Sequence, residues 1–401
     1  MTHESSSRST FAAFRETLLA FAFDLGGLAA GFVVASQLGV FQLSSWAIAV
    51  YPAVLGVKGV IHGLLSRRIG AALHLGTVYP RFSNNTKSFY KLVSATIVMT
   101  LVVSVVMSLV SLVFGSLFWG ATLTDSLGIL SVIVASMSLG LLFSFVTIKV
   151  AFVTFKSRLD PDIVVYPMMS TLTDIFMTFC YAFAVDAFFL FNFAGEYTLT
   201  AIILTHLILV IYLVPKNLRE KDFRKNLKES LFTLLFVSII VNVTGTFLKR
   251  ISSIVGNRGA EIYTLYPALL DVTGDISSVV GSTATTKLAL GLLRPSLSSI
   301  VHHAKNIFSA WMASVLVFLV LAFLSPLLNG LFSLSAFMNL LSILLLANLI
   351  AVFGIVVVSY GVSILTFQKG LDPDNLVIPL ESSFADSLMS IALLTVLFLV
   401  G

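Results

Sequence analysis

Eleven runs of mainly apolar residues divide this chain, and their length constrains the fold more than any other feature. They fall near 16–38, 45–66, 90–119, 127–155, 163–191, 198–214, 229–249, 262–292, 306–329, 336–366 and 376–400. A helix rises about 1.5 Å per residue, so a run of about 20 residues spans a hydrocarbon core ~30 Å thick. In lipid the backbone must satisfy its own hydrogen bonds, and runs this long do so as helices. The 401 residues are 58% hydrophobic and 11% charged, against about 25% charged in soluble domains. The expectation is an all-α polytopic membrane protein with the lipid bilayer as its solvent. The second and eighth runs carry charges and glycines and are the weakest of the eleven. The first, starting near Thr17, is too long for a signal peptide and reads as a retained span. Cys180, the single cysteine, lies inside an apolar run and reads as packing.

The net charge of +5 does not point to nucleic acid, because the basic residues gather in short loops. Arg67, Arg68, Arg81 and Lys87 follow the second run, and Lys156 and Arg158 the fourth. Lys216, Arg219, Lys221, Arg224, Lys225 and Lys228 follow the sixth, Arg294 and Lys305 the eighth, and Lys369 the tenth. The loops after runs one, three, five and nine have no Lys or Arg; Lys249, Arg250 and Arg258 after run seven break the alternation. The positive-inside rule then predicts a multi-pass protein of the cell membrane with a cytoplasmic N-terminus and an extracellular C-terminus.

The chain also repeats itself. Tyr51-Pro52-Ala53-Val54-Leu55 reads against Tyr266-Pro267-Ala268-Leu269-Leu270, and Leu73-His74-Leu75-Gly76 against Leu288-Ala289-Leu290-Gly291. Leu159-Asp160-Pro161-Asp162 reads against Leu371-Asp372-Pro373-Asp374, followed in register by Pro167 and Pro379, then Asp174 and Asp386. Arg15-Glu16-Thr17-Leu18 resembles Lys228-Glu229-Ser230-Leu231 at the front. Three separated blocks in constant order imply a duplication, with five helices in each copy and the sixth run as an unpaired connector. The expected divisions are a polar tail (1–15), a first five-helix unit (16–192), a connector helix with a basic loop (193–226) and a second five-helix unit (227–401). An odd number of helices per copy plus one connector gives both copies the same orientation. The expected relation is a pseudo-twofold axis along the membrane normal, 5+1+5.

The repetition also marks the candidate chemistry. Asp174 and Asp386 each lie twelve residues beyond the second Asp of their Asp-Pro-Asp segment, about 18 Å into the bilayer. A carboxylate at that depth is costly and should face a cation or a wet path rather than lipid. A twofold axis would set the two opposite each other. Mg²⁺ sheds water reluctantly and suits one or two carboxylates with retained water. Against this stands a purely structural role, with each Asp bonded to neighbouring Ser, Thr or backbone. Pro167 and Pro379 precede these aspartates by seven residues and free a carbonyl if they lie inside a helix. Glu381 has Met169 as its counterpart, and is open to readings as a further cation ligand, a proton carrier, a coupling-ion site or a buried neutral acid. Asp162 and Asp374 suit helix N-caps, with an acidic vestibule as the alternative. Asp271 and Asp275 are four apart on one helix face; the first copy has Gly56 and Val60 there, with Lys58 and His62 nearby. Lys58 reads as an ion-pair partner for Asp271 or Asp275, or as a built-in cation competing with substrate. Asp24 reads as a helix–helix hydrogen bond. Ser282, Thr283, Thr285 and Thr286 add hydroxyl oxygens. The sequence has no P-loop, no dinucleotide fingerprint and no zinc spacing; His302 and His303 form no ligand constellation. No nucleophile–base pair is visible, so an enzyme is not expected.

The segment Asp372-Pro373-Asp374-Asn375-Leu376-Val377-Ile378-Pro379 followed by Asp386 resembles the fifth transmembrane helix of the MgtE-type magnesium transporters. The solute-carrier branch, which fuses two units in one chain, is the part of the superfamily it is most similar to. Asp160-Pro161-Asp162 through Asp174 resembles it too, and Pro267-Ala268-Leu269-Leu270 is similar to the family's pore-lining second helix. The resemblance implies a cation pathway between two five-helix units with Mg²⁺ as the transported substrate. By position, Asp174 and Asp386 would hold it, with Asp271, Asp275 and Glu381 as further metal-site candidates. It also implies a chain that works as a monomer, a pseudo-dimer within itself. The bacterial pattern has a large sensing region with CBS domains that this sequence lacks, so gating through such domains is not expected. Glu381, Lys58, Asp271 and Asp275 break the twofold chemistry and favour alternating access or coupling to Na⁺ or H⁺ over a symmetric channel. The competing readings are a secondary transporter of another cation or small solute, and a membrane scaffold without transport.

Overall fold

The computed structural model describes residues 10–157, 166–256, 259–370 and 373–400, and these are helical almost throughout, with no strand. Asp160, Pro161, Asp162 and Asp372 lie outside the described residues. In chain order the helices are α1 (Thr10–Phe21), α2 (Gly27–Ser36), α3 (Leu38–Phe41), α4 (Ala47–His74), α5 (Lys87–Phe114), α6 (Ser126–Ser157), α7 (Tyr166–Phe189), α8 (Asn192–Asn217), α9 (Lys221–Val255), α10 (Ala260–Ala289), α11 (Ala304–Leu328), α12 (Leu334–Lys369) and α13 (Pro373–Val400). A 3-10 segment, Ala22–Gly26, joins α1 to α2, and Asp24 is buried in it.

Among the described residues, ten helices are long and apolar enough to cross a membrane. The chain is thus a polytopic all-α membrane protein. The eighth predicted run, α10, is not among the ten. Its 30 residues extend for about 45 Å, but Glu261, Asp271, Asp275 and Lys287 make it too polar by composition. It is nonetheless deeply buried along most of its length, so protein rather than lipid surrounds its apolar face. Helices also outrun the apolar stretches. Residues 221–226, expected in the basic loop, form the first turns of α9; Lys221, Arg224 and Lys225 there are good helix formers. Apolar length measures bilayer thickness, not helix length.

Two details of the Asp-Pro-Asp reading change. α13 starts at Pro373, so Asp374 lies in its first turn and not at the N-cap. Proline at the first helical position, with its fixed φ and missing N–H, accounts for that start. Pro379 is inside α13, whereas Pro167 is the second residue of α7, where no described carbonyl is freed.

The described residues group into two compact units. One combines Met1–Phe32 with Gly259–Gly401, and the other is Val33–Arg258. These differ from the sequence copies in one respect: the first helix of each copy packs with helices two to five of the other. In the first unit, α1 packs on α11 and the 3-10 segment on α10. A Cβ at Gly31 would overlap the Thr264 carbonyl, and one at Gly27 would stand 2.7 Å from Ala268 Cα. In the second unit, α9 packs on α4 and α5, and a Cβ at Gly245 would overlap the Ala49 carbonyl. Ala49 and Thr264 are equivalent positions of the two copies, and each meets a glycine of a first helix. Small residues let membrane helices approach this closely. Ser111 donates to Asn242 at 2.8 Å and Trp119 to Thr246 at 2.9 Å, fastening α9 to its neighbours. Lys249, which breaks the alternation of loop charge, donates to the carbonyls of Ser45 (2.8 Å) and Trp119. Its position follows from that local bonding rather than from topology.

Candidate functional site

In the unit holding residues 259–401, α10 and α13 pack antiparallel. Tyr266 meets Ser390 at one end, Gly274 faces Ser382 midway, and Gly281 faces Glu381 further on. This brings Asp271 to the level of Asp386. Its charge acts on both Asp386 and Asp275, so three carboxyls share one region of the helix pair. Asp271 and Asp386 are half-buried, while Asp275 is 8% exposed and Glu381 1%. Like charges this close attract a cation or a proton, because repulsion between them is relieved by either.

The helix-five aspartate is held from its backbone. Ser390 donates to the Asp386 carbonyl at 2.8 Å, and its only hydrogen is then used. Tyr266, 2.7 Å from the same hydroxyl, is therefore the donor to it. In the Val33–Arg258 unit the chain of bonds recurs. Thr178 donates to the Asp174 carbonyl at 2.7 Å, and Tyr51 donates to Thr178 at 2.8 Å. Tyr51 and Tyr266 are the first residues of the two Tyr-Pro blocks, and Thr178 and Ser390 each stand four residues past the Asp. The sequence showed both tyrosines only as markers of the repeat; their role in fixing helix five is a finding of the structure.

Around these anchors the units differ. Lys58 on α4 is fully buried and its Nζ has no hydrogen-bond partner among the described residues. Its surroundings are Gly140, Met177 and Cys180. His62, one turn on, meets Ser144 at 3.3 Å. Thr283, offered as an oxygen ligand, donates to its own helix at Val279 and contacts His303 at 2.9 Å. Thr285 and Thr286 also bond within their own helix. Among the described residues no three His, Cys, Asp or Glu side chains form a metal cage.

Acids carried within buried helix faces of a polytopic bundle define a class of membrane protein that handles ions. The chain belongs to the MgtE divalent cation transporter family, whose model matches residues 51–184 and 266–396. The two matched segments fall within α4–α7 and α10–α13, helices two to five of each copy, and leave out both first helices. No curated protein and no solved structure matches the chain.

Proposed function

We propose that the protein carries Mg²⁺ across the membrane, with Asp174 and Asp386 as cation ligands and Asp271 and Asp275 adding negative charge beside the second. The observation that carries this reading is the repeated Tyr–hydroxyl–Asp chain, which ties the backbone of the helix-five aspartate in the same way in both units. A hydrated Mg²⁺ needs only one or two carboxylates, which suits acids spread along two helices better than a closed cage. That the two aspartates share one pathway between the copies, about a twofold axis, rests on the sequence repeat. So does the orientation, with the N-terminus cytoplasmic and the C-terminus extracellular. The working form is a monomer and the activity is transport, not catalysis.

In proteoliposomes loaded with a Mg²⁺ indicator, Asp386→Asn is expected to abolish uptake while the protein elutes as the same folded particle. Unchanged uptake in both Asp174→Asn and Asp386→Asn would overturn the assignment. A second reading is a secondary transporter of another cation or small solute, driven by Na⁺ or H⁺. The chemical inequality of the copies favours it, since Lys58 and His62 stand on α4 where α10 carries Asp271 and Asp275. Uptake of such a solute independent of Mg²⁺ would select it. Glu381, offered by the sequence as a metal ligand too, is assigned differently below.

A further inference from the structure

We propose that Glu381 is a proton-binding site, neutral in its buried position, which releases its proton to solution as the cation moves; H⁺ is then the coupling ion. This rests on the transport reading for its coupling part alone.

The geometry counts hydrogens. Glu381 is 1% exposed. Its Oε1 lies 3.1 Å from Ser363 Oγ, and the same hydroxyl lies 3.1 Å from the Gly281 carbonyl. Its Oε2 has no hydrogen-bond partner among the described residues. A serine hydroxyl has one hydrogen, while an ionised carboxylate presents about four lone-pair sites and no donor. With Glu381 ionised, Ser363 must choose between two acceptors and Oε2 keeps nothing. A charge buried in that condition is strongly disfavoured. With a proton on Oε1, Glu381 donates to Ser363 and Ser363 donates onward to Gly281. Both contacts are then true bonds, and the remaining oxygen belongs to a neutral acid.

The space is built for this side chain. A Cβ at Gly281 would overlap the Glu381 carboxyl, so the carboxyl holds this position against α10 with glycine opposite it. The first copy has Met169 in place of Glu381 and Ser66 in place of Gly281; acid and cradle occur together in one copy and are absent together from the other. Glu381 lies eight residues from the start of α13 at Pro373, about 12 Å along the helix, nearer its end than Asp386 and so closer to a proton source.

The charged and titratable groups on the elements packed against α13 are accounted for as follows. On α10, Asp275 and Lys287 each stand six residues from Gly281, about 9 Å along the axis, and Asp271 lies beyond Asp275. Lys287 donates to Asn306 at 2.9 Å and contacts His303 at 3.2 Å. Tyr266, Tyr263 and Glu261 lie toward the far end of α10. On α12, Tyr360 contacts Ser299 at 2.5 Å, and Lys369 is at the helix end. Among the described residues, Ser363 is the side chain that hydrogen-bonds Glu381. Exchange is balanced as Glu381-COOH giving Glu381-COO⁻ and H⁺, the proton leaving to water while a cation supplies the compensating charge.

Infrared difference spectra of the purified full chain between acid and alkaline buffer test the site itself. The wild type should show a protonated-carboxyl C=O band at neutral pH that is lost in Glu381→Gln and displaced in Ser363→Ala. The same band in Glu381→Gln overturns the proposal. Coupling is tested in proteoliposomes holding both a pH and a Mg²⁺ indicator. Proton movement per Mg²⁺ should fall to zero in Glu381→Gln, and an unchanged ratio, or Mg²⁺ uptake by the wild type with no proton movement, overturns it. Absence of Mg²⁺ uptake by the wild type overturns the transport reading instead. If Glu381→Gln does not fold, the Ser363→Ala band decides: an undisplaced band overturns the site.

Discussion

At the scale of single residues, two hydroxyls set the position of the proposed ligands. Thr178 and Ser390 spend their hydrogens on the carbonyls of Asp174 and Asp386, and a tyrosine from helix two holds each hydroxyl in place. Removing that tyrosine hydroxyl leaves the carboxylate present but less well aimed. Tyr266→Phe is therefore expected to raise the Mg²⁺ concentration for half-maximal uptake about tenfold, the usual cost of losing an outer-shell partner, with little change in the amount of folded protein. Uptake titrations in proteoliposomes check this. The aspartates were legible in the sequence because a charge recurring at one register inside apolar runs is rare. Their anchors were not, since Ser and Thr four residues past any position commonly bond back within their own helix. Gly281 was equally silent, because its meaning depends on knowing that α10 and α13 pack antiparallel.

At the scale of elements, the helix count and order were legible, including α10, whose polarity hides it from a test of composition. Length and periodicity survive charges that face protein. The partner of each first helix was not legible. Matching sequence blocks show which residues correspond, but they do not show which bundle each first helix joins. The packing of α1 on α11 and of α9 on α4, with the close approach of Gly31 to Thr264 and of Gly245 to Ala49, shows the exchange. These glycines make sharp tests. Gly245→Ala forces a methyl into a backbone carbonyl that a rotamer change cannot relieve, so α9 must back away from α4. A loss of about 1–3 kcal/mol is expected, the usual cost of overpacking, read as a lower thermal unfolding midpoint in detergent. Gly39→Ala, where a Cβ meets nothing, should leave the midpoint unchanged.

At the scale of the molecule, the sequence copies and the compact units are different divisions of one chain. Cutting the backbone between α8 and α9 gives two fragments, each lacking the first helix of its own bundle's packing and carrying the other's. Expressed alone, either fragment should be degraded or aggregate; expressed together, they should co-purify and restore uptake. A single fragment that is monodisperse and stable by itself would contradict the exchange. The same exchange dictates an order of events during synthesis. The opening helix enters the bilayer long before residues 259–401 exist, and at roughly 5–20 residues per second it waits on the order of ten seconds or more for them. In that interval its glycine face has only lipid, or a chaperone of the insertion machinery, to lean on.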